Sequence, residues 1–178
     1  LPISPKPQNP FIVNSYIIEL KSMTEFLGDK FKKADGSDCG REVVDGYKLV
    51  MIVYSASWWG GCAPFKANLK NLYNNWNANG EKNLQVVIVS GDKDQGGYDQ
   101  TMREAPWVSL PLNADKAGIE AKVPCTGYPT PGIVNGATGE VINADAFGHV
   151  DDANYAQWMA KVWGWNMVKQ GVKLSQNS

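Results

Sequence analysis

The chain has 178 residues, 43% hydrophobic and 20% charged, enough for one globular domain with tails and a buried core. A formal net charge of −1 leaves no electrostatic footprint for nucleic acid or an anionic membrane surface, and no apolar run approaches the roughly 20 residues of a membrane-spanning helix. Cys39, Cys62 and Cys125 are odd in number and widely spaced, which argues against a disulfide framework and favours a reducing, intracellular compartment. With His149 as the sole histidine, they do not supply the four close ligands of a structural zinc site, so neither metal nor other cofactor is expected. His149 itself reads as a surface or capping residue. The first residue is Leu rather than Met, which leaves open a leader removed before Leu1 and therefore the choice between cytoplasm and organelle.

In chain order, LPISPKPQNPFIV (1–13) carries four prolines in its first ten positions. Proline fixes φ and removes a donor, so an extended arm is predicted that lies on the domain or reaches a partner. SYIIELKSMTEFLGDKF reads as a short helical or mixed segment, and the DG and DCG signals of KADGSDCGREVVDGYK predict a hairpin. YKLVMIVYSA (47–56) and LQVVIVSG (84–91) are continuous apolar strands of the kind buried on both faces. Between them a helix is predicted over 62–77, with Phe65, Leu69, Leu72, Tyr73 and Trp76 on one face. YDQTMREA forms a helix that stops before Pro106, and DKAGIEAKV a shorter one. TPGIVNGATGEVINAD gives two strands around a Gly-rich turn, and DANYAQWMAKVWGW an amphipathic closing helix. That order predicts an α/β sandwich with a mixed sheet over residues 14–168, followed by a polar tail at 169–178.

The first strand-to-helix turn reads Ser55-Ala56-Ser57-Trp58-Trp59-Gly60-Gly61-Cys62. It resembles the SASWCPPC segment of the tryparedoxin and nucleoredoxin branch of the thioredoxin fold. Phe65, Leu69 and Tyr73 continue the match without a gap. Pro106, Trp107 and Pro111 resemble the branch's MPWLAVPF segment, GYPTPGIVN its IPT loop, and FLGDKFKKADGS its LLG…DG hairpin. The likeness covers roughly residues 25 to 163. It implies a three-layer sandwich with an N-terminal hairpin extension, 47–56 central between 84–90 and 130–135, and a cis bond before Pro129.

The resemblance also implies what is missing. A dithiol oxidoreductase uses an exposed first cysteine at a helix N-terminus, where free N–H groups stabilise the thiolate, and a more buried second one that resolves the mixed disulfide. In the gap-free register Trp59 takes the first position and Cys62 the second. An alternative register reads CAPFK as CGPCK, with Cys62 the nucleophile and Phe65 replacing the resolver, but it needs three extra residues and misplaces Leu69 and Tyr73. Val53 stands where thioredoxins proper carry a buried Asp. Cys125 is expected to be a buried small hydrophobe and Cys39 a spectator, with no disulfide among the three thiols.

Protein contacts are assigned to Tyr128, Pro129 and Trp107 around the substrate loop, and to Trp163 and Trp165 at the end of the closing helix, where exposed aromatics mark interfaces. The expectation is a redox-inactive protein serving as a binding or structural subunit of a larger assembly. The alternatives are a monothiol oxidoreductase using Cys62 and a peptide-binding module using the Pro129 loop.

Overall fold

A computed structural model describes residues 25–169, and for 165–169 the helical backbone alone. The arm 1–13, the segment 14–24, the tail from 170 and the Trp165 side chain lie outside the described residues. The strands are β1 (Phe31–Lys32), β2 (Asp38–Cys39), β3 (Leu49–Ser55), β4 (Leu84–Ser90), β5 (Val108–Ser109), β6 (Thr130–Asn135) and β7 (Val141–Asn143). The helices are α1 (Cys62–Trp76), α2 (Gln95–Met102), α3 (Ala117–Lys122) and α4 (Asp152–Lys169), with 3-10 turns at Glu25–Leu27 and Arg41–Val43.

The two apolar runs become the middle of the sheet because neither face of them can be left in water. All seven residues of β3 and all seven of β4 are buried. They pair in parallel, Val53 opposite Ile88, while β6 lies antiparallel on the other side of β3. The seven strands run in the order β2-β1-β5-β4-β3-β6-β7, a mixed sheet with β3 flanked by β4 and β6 as predicted.

Alternation along the strands then builds two cores. Leu49, Met51, Val53, Val86 and Ile88 meet Leu69 and Trp76 of α1, Met102 of α2, and Trp158 and Val162 of α4. Val50, Ile52, Tyr54, Val87 and Val89 face the opposite way, against Ile119 of α3, Val123 and Leu27. Helices on both faces give the three layers expected. Trp76 joins α1 to α4: its ring stacks on Tyr155 at 4.3 Å and its indole donates to Asp152 Oδ1 at 2.7 Å.

Several boundaries differ from the sequence reading. The hairpin turns at the first DG, Asp35-Gly36, and ends at Cys39. The DCG signal leads instead into the 3-10 turn at Arg41–Val43. α2 starts three residues earlier than YDQTMREA, because Asp94 caps it by accepting from the Gly97 amide at 2.7 Å. It ends at Met102, and the left-handed Glu104 (φ 56°) turns the chain ahead of Pro106. β5 was not predicted; two residues carry too little pattern to announce a strand.

Candidate functional site

At the C-terminal end of β3 the chain leaves the sheet, turns through Trp58–Gly61 and enters α1. The turn is closed by the Cys62 amide donating to the Trp59 carbonyl at 3.1 Å. Pro64 is accommodated in the first turn of α1, where its missing N–H removes no intrahelical bond. Gly61 offers no capping side chain and the first turn holds no acidic residue, so neither the N-cap nor the first turn supplies a negative group to the positive end of the helix.

The two tryptophans of the turn point into solvent, Trp58 being 57% and Trp59 51% exposed. The Trp58 indole donates to the Gly91 carbonyl at 3.2 Å and meets the Tyr128 ring edge-on at 5.2 Å. Trp59 curls back over the turn: a Cβ on Gly61 would lie 3.0 Å from its Nε1. Gly61 is therefore a spacer for the indole. Beyond Gly60 there is open space. Cys62, three residues after Trp59, is only 1% exposed.

A buried carboxylate, unassigned by sequence reasoning, holds the turn. Asp92 Oδ1 accepts from the Ser57 amide (2.8 Å) and hydroxyl (2.6 Å). Its Oδ2 accepts from Ser90 Oγ (2.7 Å) and Thr101 Oγ1 (2.5 Å). Burial pushes the Asp92 carboxyl up, but the hydrogen bonds from Ser57, Thr101 and Ser90 outweigh it and hold it below its ordinary value. One side chain thus ties the entry to α1, the end of β4 and α2 together. The signal was present in VSGD, an acid two residues past a buried strand, but its partners at 57 and 101 are distant in sequence.

Nearby, Lys66 donates to the Thr101 carbonyl at 2.7 Å. Burial lowers its ammonium below the usual value, with Cys62 and Asp92 acting in the opposite sense. Two glycines are fixed by close approach: a Cβ on Gly91 would fall 2.5 Å from the Tyr128 ring, and one on Gly97 2.9 Å from Asp92 Oδ1. Phe147, 58% exposed, faces Phe65 of α1 with ring centres 6.4 Å apart.

The structure brings Trp58, Trp59, Gly60, Gly61, Cys62 and Tyr128 to one end of the sheet. The Tyr128–Pro129 bond is cis. Pro129 is buried, and Tyr128 is half-buried, so Tyr128 is the member of the pair that faces outward. Trp107 belongs elsewhere: at 3% exposure it sits in the α1-side core, edge-on to Tyr73 at 5.7 Å, and this corrects its assignment as a contact residue. Trp163 is 55% exposed, with Lys48 Nζ 5.6 Å from its ring centre.

All three cysteines are free. Cys125 is exposed rather than buried, the second correction. It precedes the Pro129 turn in an outer loop, where its thiol donates to the Gly127 carbonyl at 3.5 Å. His149 is exposed. Among the described residues no group of three or more His, Cys, Asp or Glu side chains is placed to hold a metal ion, and no helix is long and apolar enough to cross a membrane.

A mixed sheet with this strand order, and a turn-to-helix site facing a cis-proline loop, define a thioredoxin-type domain. The thioredoxin-like family model matches residues 46–141, just over half of the chain, and the chain belongs to that family. It is 28% identical over 120 residues to tryparedoxin of Trypanosoma brucei brucei, covering 61% of this chain and 78% of that protein. Nucleoredoxin of Danio rerio is 25% identical over 129 residues, 67% of this chain and 31% of that protein. The chain spans less than a third of the length of the nucleoredoxins it matches. The solved structure of tryparedoxin from Trypanosoma brucei superposes with a TM-score of 0.63 at 22% identity, covering 75% of this chain and 95% of that one, which bears on the fold.

Proposed function

We propose that this chain is a non-catalytic thioredoxin-like protein. It binds a protein partner through the surface formed by Trp58, Trp59 and Tyr128, and serves as a subunit of a larger assembly. The observation that carries the reading is the contrast within one turn of helix: an indole, 51% exposed, stands three residues before the only thiol of the turn, which is 1% exposed. A nucleophile in disulfide exchange must reach a substrate sulfur as a thiolate. Trp59 reaches solvent but cannot ionise or form a disulfide, and Cys62 has the sulfur without the access. The exposed indoles supply large, rigid apolar area of the kind that dominates binding at protein interfaces. Trp163, 55% exposed, supplies a second contact face toward the end of α4; Trp165, the other residue expected there, lies outside the described side chains.

The test is disulfide reduction with insulin as substrate, beside recovery of the protein from its source under native conditions. The wild type shows no turnover above the uncatalysed rate, Cys62→Ser changes nothing, and the protein is recovered with a stoichiometric partner. Turnover by the wild type that vanishes in Cys62→Ser would establish a monothiol enzyme instead.

A further inference from the structure

The sheet has a notch at the end away from the Trp58–Cys62 turn. β5 is two residues long and pairs only with Val87 and Ile88 of β4, so Leu84, Gln85 and Val86 have β3 on one side and no strand on the other. Side-chain amides stand in for the missing strand. Leu84 donates its amide to Asn77 Oδ1 and accepts from Asn77 Nδ2, both at 3.0 Å, and the Val86 amide donates to Gln85 Oε1 at 3.0 Å. With the edge satisfied in this way, the space beside it can stay open without leaving buried backbone groups unpaired.

That space is a cavity of about 510 Å³ between β4 and the β1–β2 hairpin, within the size range of small-molecule sites. Its walls are aromatic, from Tyr47, Tyr73 and Trp107. Gln85, 4% exposed, ties them to the sheet by accepting from the Tyr73 hydroxyl at 3.3 Å and donating to the Val43 carbonyl at 2.6 Å. The buried indole N–H of Trp107 has no acceptor among the described residues. An orphaned donor in a cavity wall points to a polar group that belongs beside it.

The mouth carries both signs of charge. Lys33 makes no ion pair among the described residues. Asp35 and Glu42 each spend one carboxylate oxygen, on Ser37 and on the Gly40 amide, and keep the other. Those same bonds hold both carboxyls below their ordinary values, so both are ionised at neutral pH. Lys82, 5.5 Å from the Tyr47 ring centre, brings a second ammonium, while Arg41 is engaged by Asp45 and the Gly28 carbonyl. Two ammoniums against two carboxylates select no ion of one sign. A ligand with both signs finds a partner for each, whereas a singly charged one also meets a like charge.

We propose that this cavity binds an α-amino acid with an aromatic side chain, its ring against Tyr47 and Tyr73, its carboxylate toward Lys33 and its ammonium toward Glu42 and Asp35. The site goes beyond the protein-binding surface proposed above and does not depend on it.

The experiment titrates the full chain with L-phenylalanine at neutral pH and follows the assigned indole N–H resonances by NMR. The Trp107 resonance shifts saturably, with a dissociation constant of about 1 mM or tighter, the strength expected of a ligand this small. Those of Trp58 and Trp59 stay in place. Phenethylamine, which lacks the carboxylate, and 3-phenylpropanoate, which lacks the ammonium, each bind about fivefold more weakly. Lys33→Gln and Glu42→Gln, at exposed positions outside both cores, each weaken L-phenylalanine binding about two- to fivefold without moving the urea midpoint. No Trp107 shift at about 10 mM L-phenylalanine, or a shift confined to Trp58 and Trp59, would overturn the proposal. Either truncated analogue binding as tightly as L-phenylalanine would overturn it too, because recognition would then not use both charges. Insulin reduction and partner recovery play no part in this test, so the function proposed above and this site can fail separately.

Discussion

Asp92 offers the sharpest stability test, because one carboxylate satisfies four donors around the turn. In Asp92→Ala the Ser57 amide and three hydroxyls lose their acceptor in a region where Asp92 is 7% exposed and water has little access. A buried donor left unsatisfied costs about 1–3 kcal/mol. The hydroxyls can rotate toward other acceptors but the amide cannot, so a total of about 3 kcal/mol is expected. Asp92→Asn keeps the shape and one accepting oxygen, and its amide can donate to the rotated hydroxyls of Ser90 and Thr101, so about half that loss is expected. Urea unfolding at neutral pH measures both. Ionisation adds a pH signature: the folded carboxyl titrates below its unfolded value, near 3.9. Its contribution is therefore complete above the unfolded pKa and is lost as pH falls through the folded one. The gap between wild type and Asp92→Asn should stay constant from pH 7 to about pH 5 and narrow below about pH 4. A gap that is absent at pH 7, or one that does not narrow on acidification, would refute the idea that the ionised carboxylate holds the turn.

Alkylation of the folded protein should modify Cys125 first, Cys39 more slowly and Cys62 only on unfolding, following their exposure, as read by mass spectrometry of timed samples. Gly91→Ala places a methyl 2.5 Å from the Tyr128 ring and should cost about 1–3 kcal/mol while breaking the Trp58–Tyr128 contact, seen as a changed near-ultraviolet circular dichroism spectrum. Leu69→Ala, at a fully buried position of α1, should lower stability by about 2–5 kcal/mol in denaturant unfolding without altering the exposure of Trp59.

The sequence was most legible where burial repeats. Continuous apolar runs at 47–56 and 84–91 can be satisfied only by strands covered on both sides, and the helical spacing of Leu69 and Trp76 selected the inward face of α1. Ordered motifs added the family, and with it the position of Pro129. Ends of elements were less legible, because caps decide them: Asp94 sets the start of α2 through a single side-chain bond. The Asp92 cluster was least visible, since its donors come from residues 57, 90 and 101 on three elements and meet only after the sheet has formed. Trp107 and Cys125 went wrong for a related reason. Residue type alone does not say which side of a loop faces water, and here the tryptophan turns inward against Tyr73 while the thiol turns out.

What holds the turn bears on whether a dithiol pair can be built there. Ser57 is fixed by Asp92, Trp58 by the Gly91 carbonyl, and the first turn of α1 by the Cys62 amide, and none of these contacts involves a sulfur at position 59. Trp59→Cys should therefore fold, and it should gain measurable insulin reduction over the wild type. The new thiol would stand at the uncapped positive end of a 15-residue helix, where the free amides favour the thiolate. Residues three apart on a helical turn have Cβ atoms roughly 5–6 Å apart, whereas a disulfide needs about 3.5–4.5 Å. Closing it requires a shift of about 1–2 Å, which Gly60-Gly61 permits because no side chain packs over Gly60 and the indole over Gly61 is gone. The same freedom lets the reduced pair drift apart, so activity should stay below that of a family member with two prolines there. Mass spectrometry after mild oxidation checks the bond directly. A well-folded Trp59→Cys that forms no disulfide with Cys62 would show that residue 59 does not occupy the first position of the motif, and the argument from the missing sulfur would fall with it.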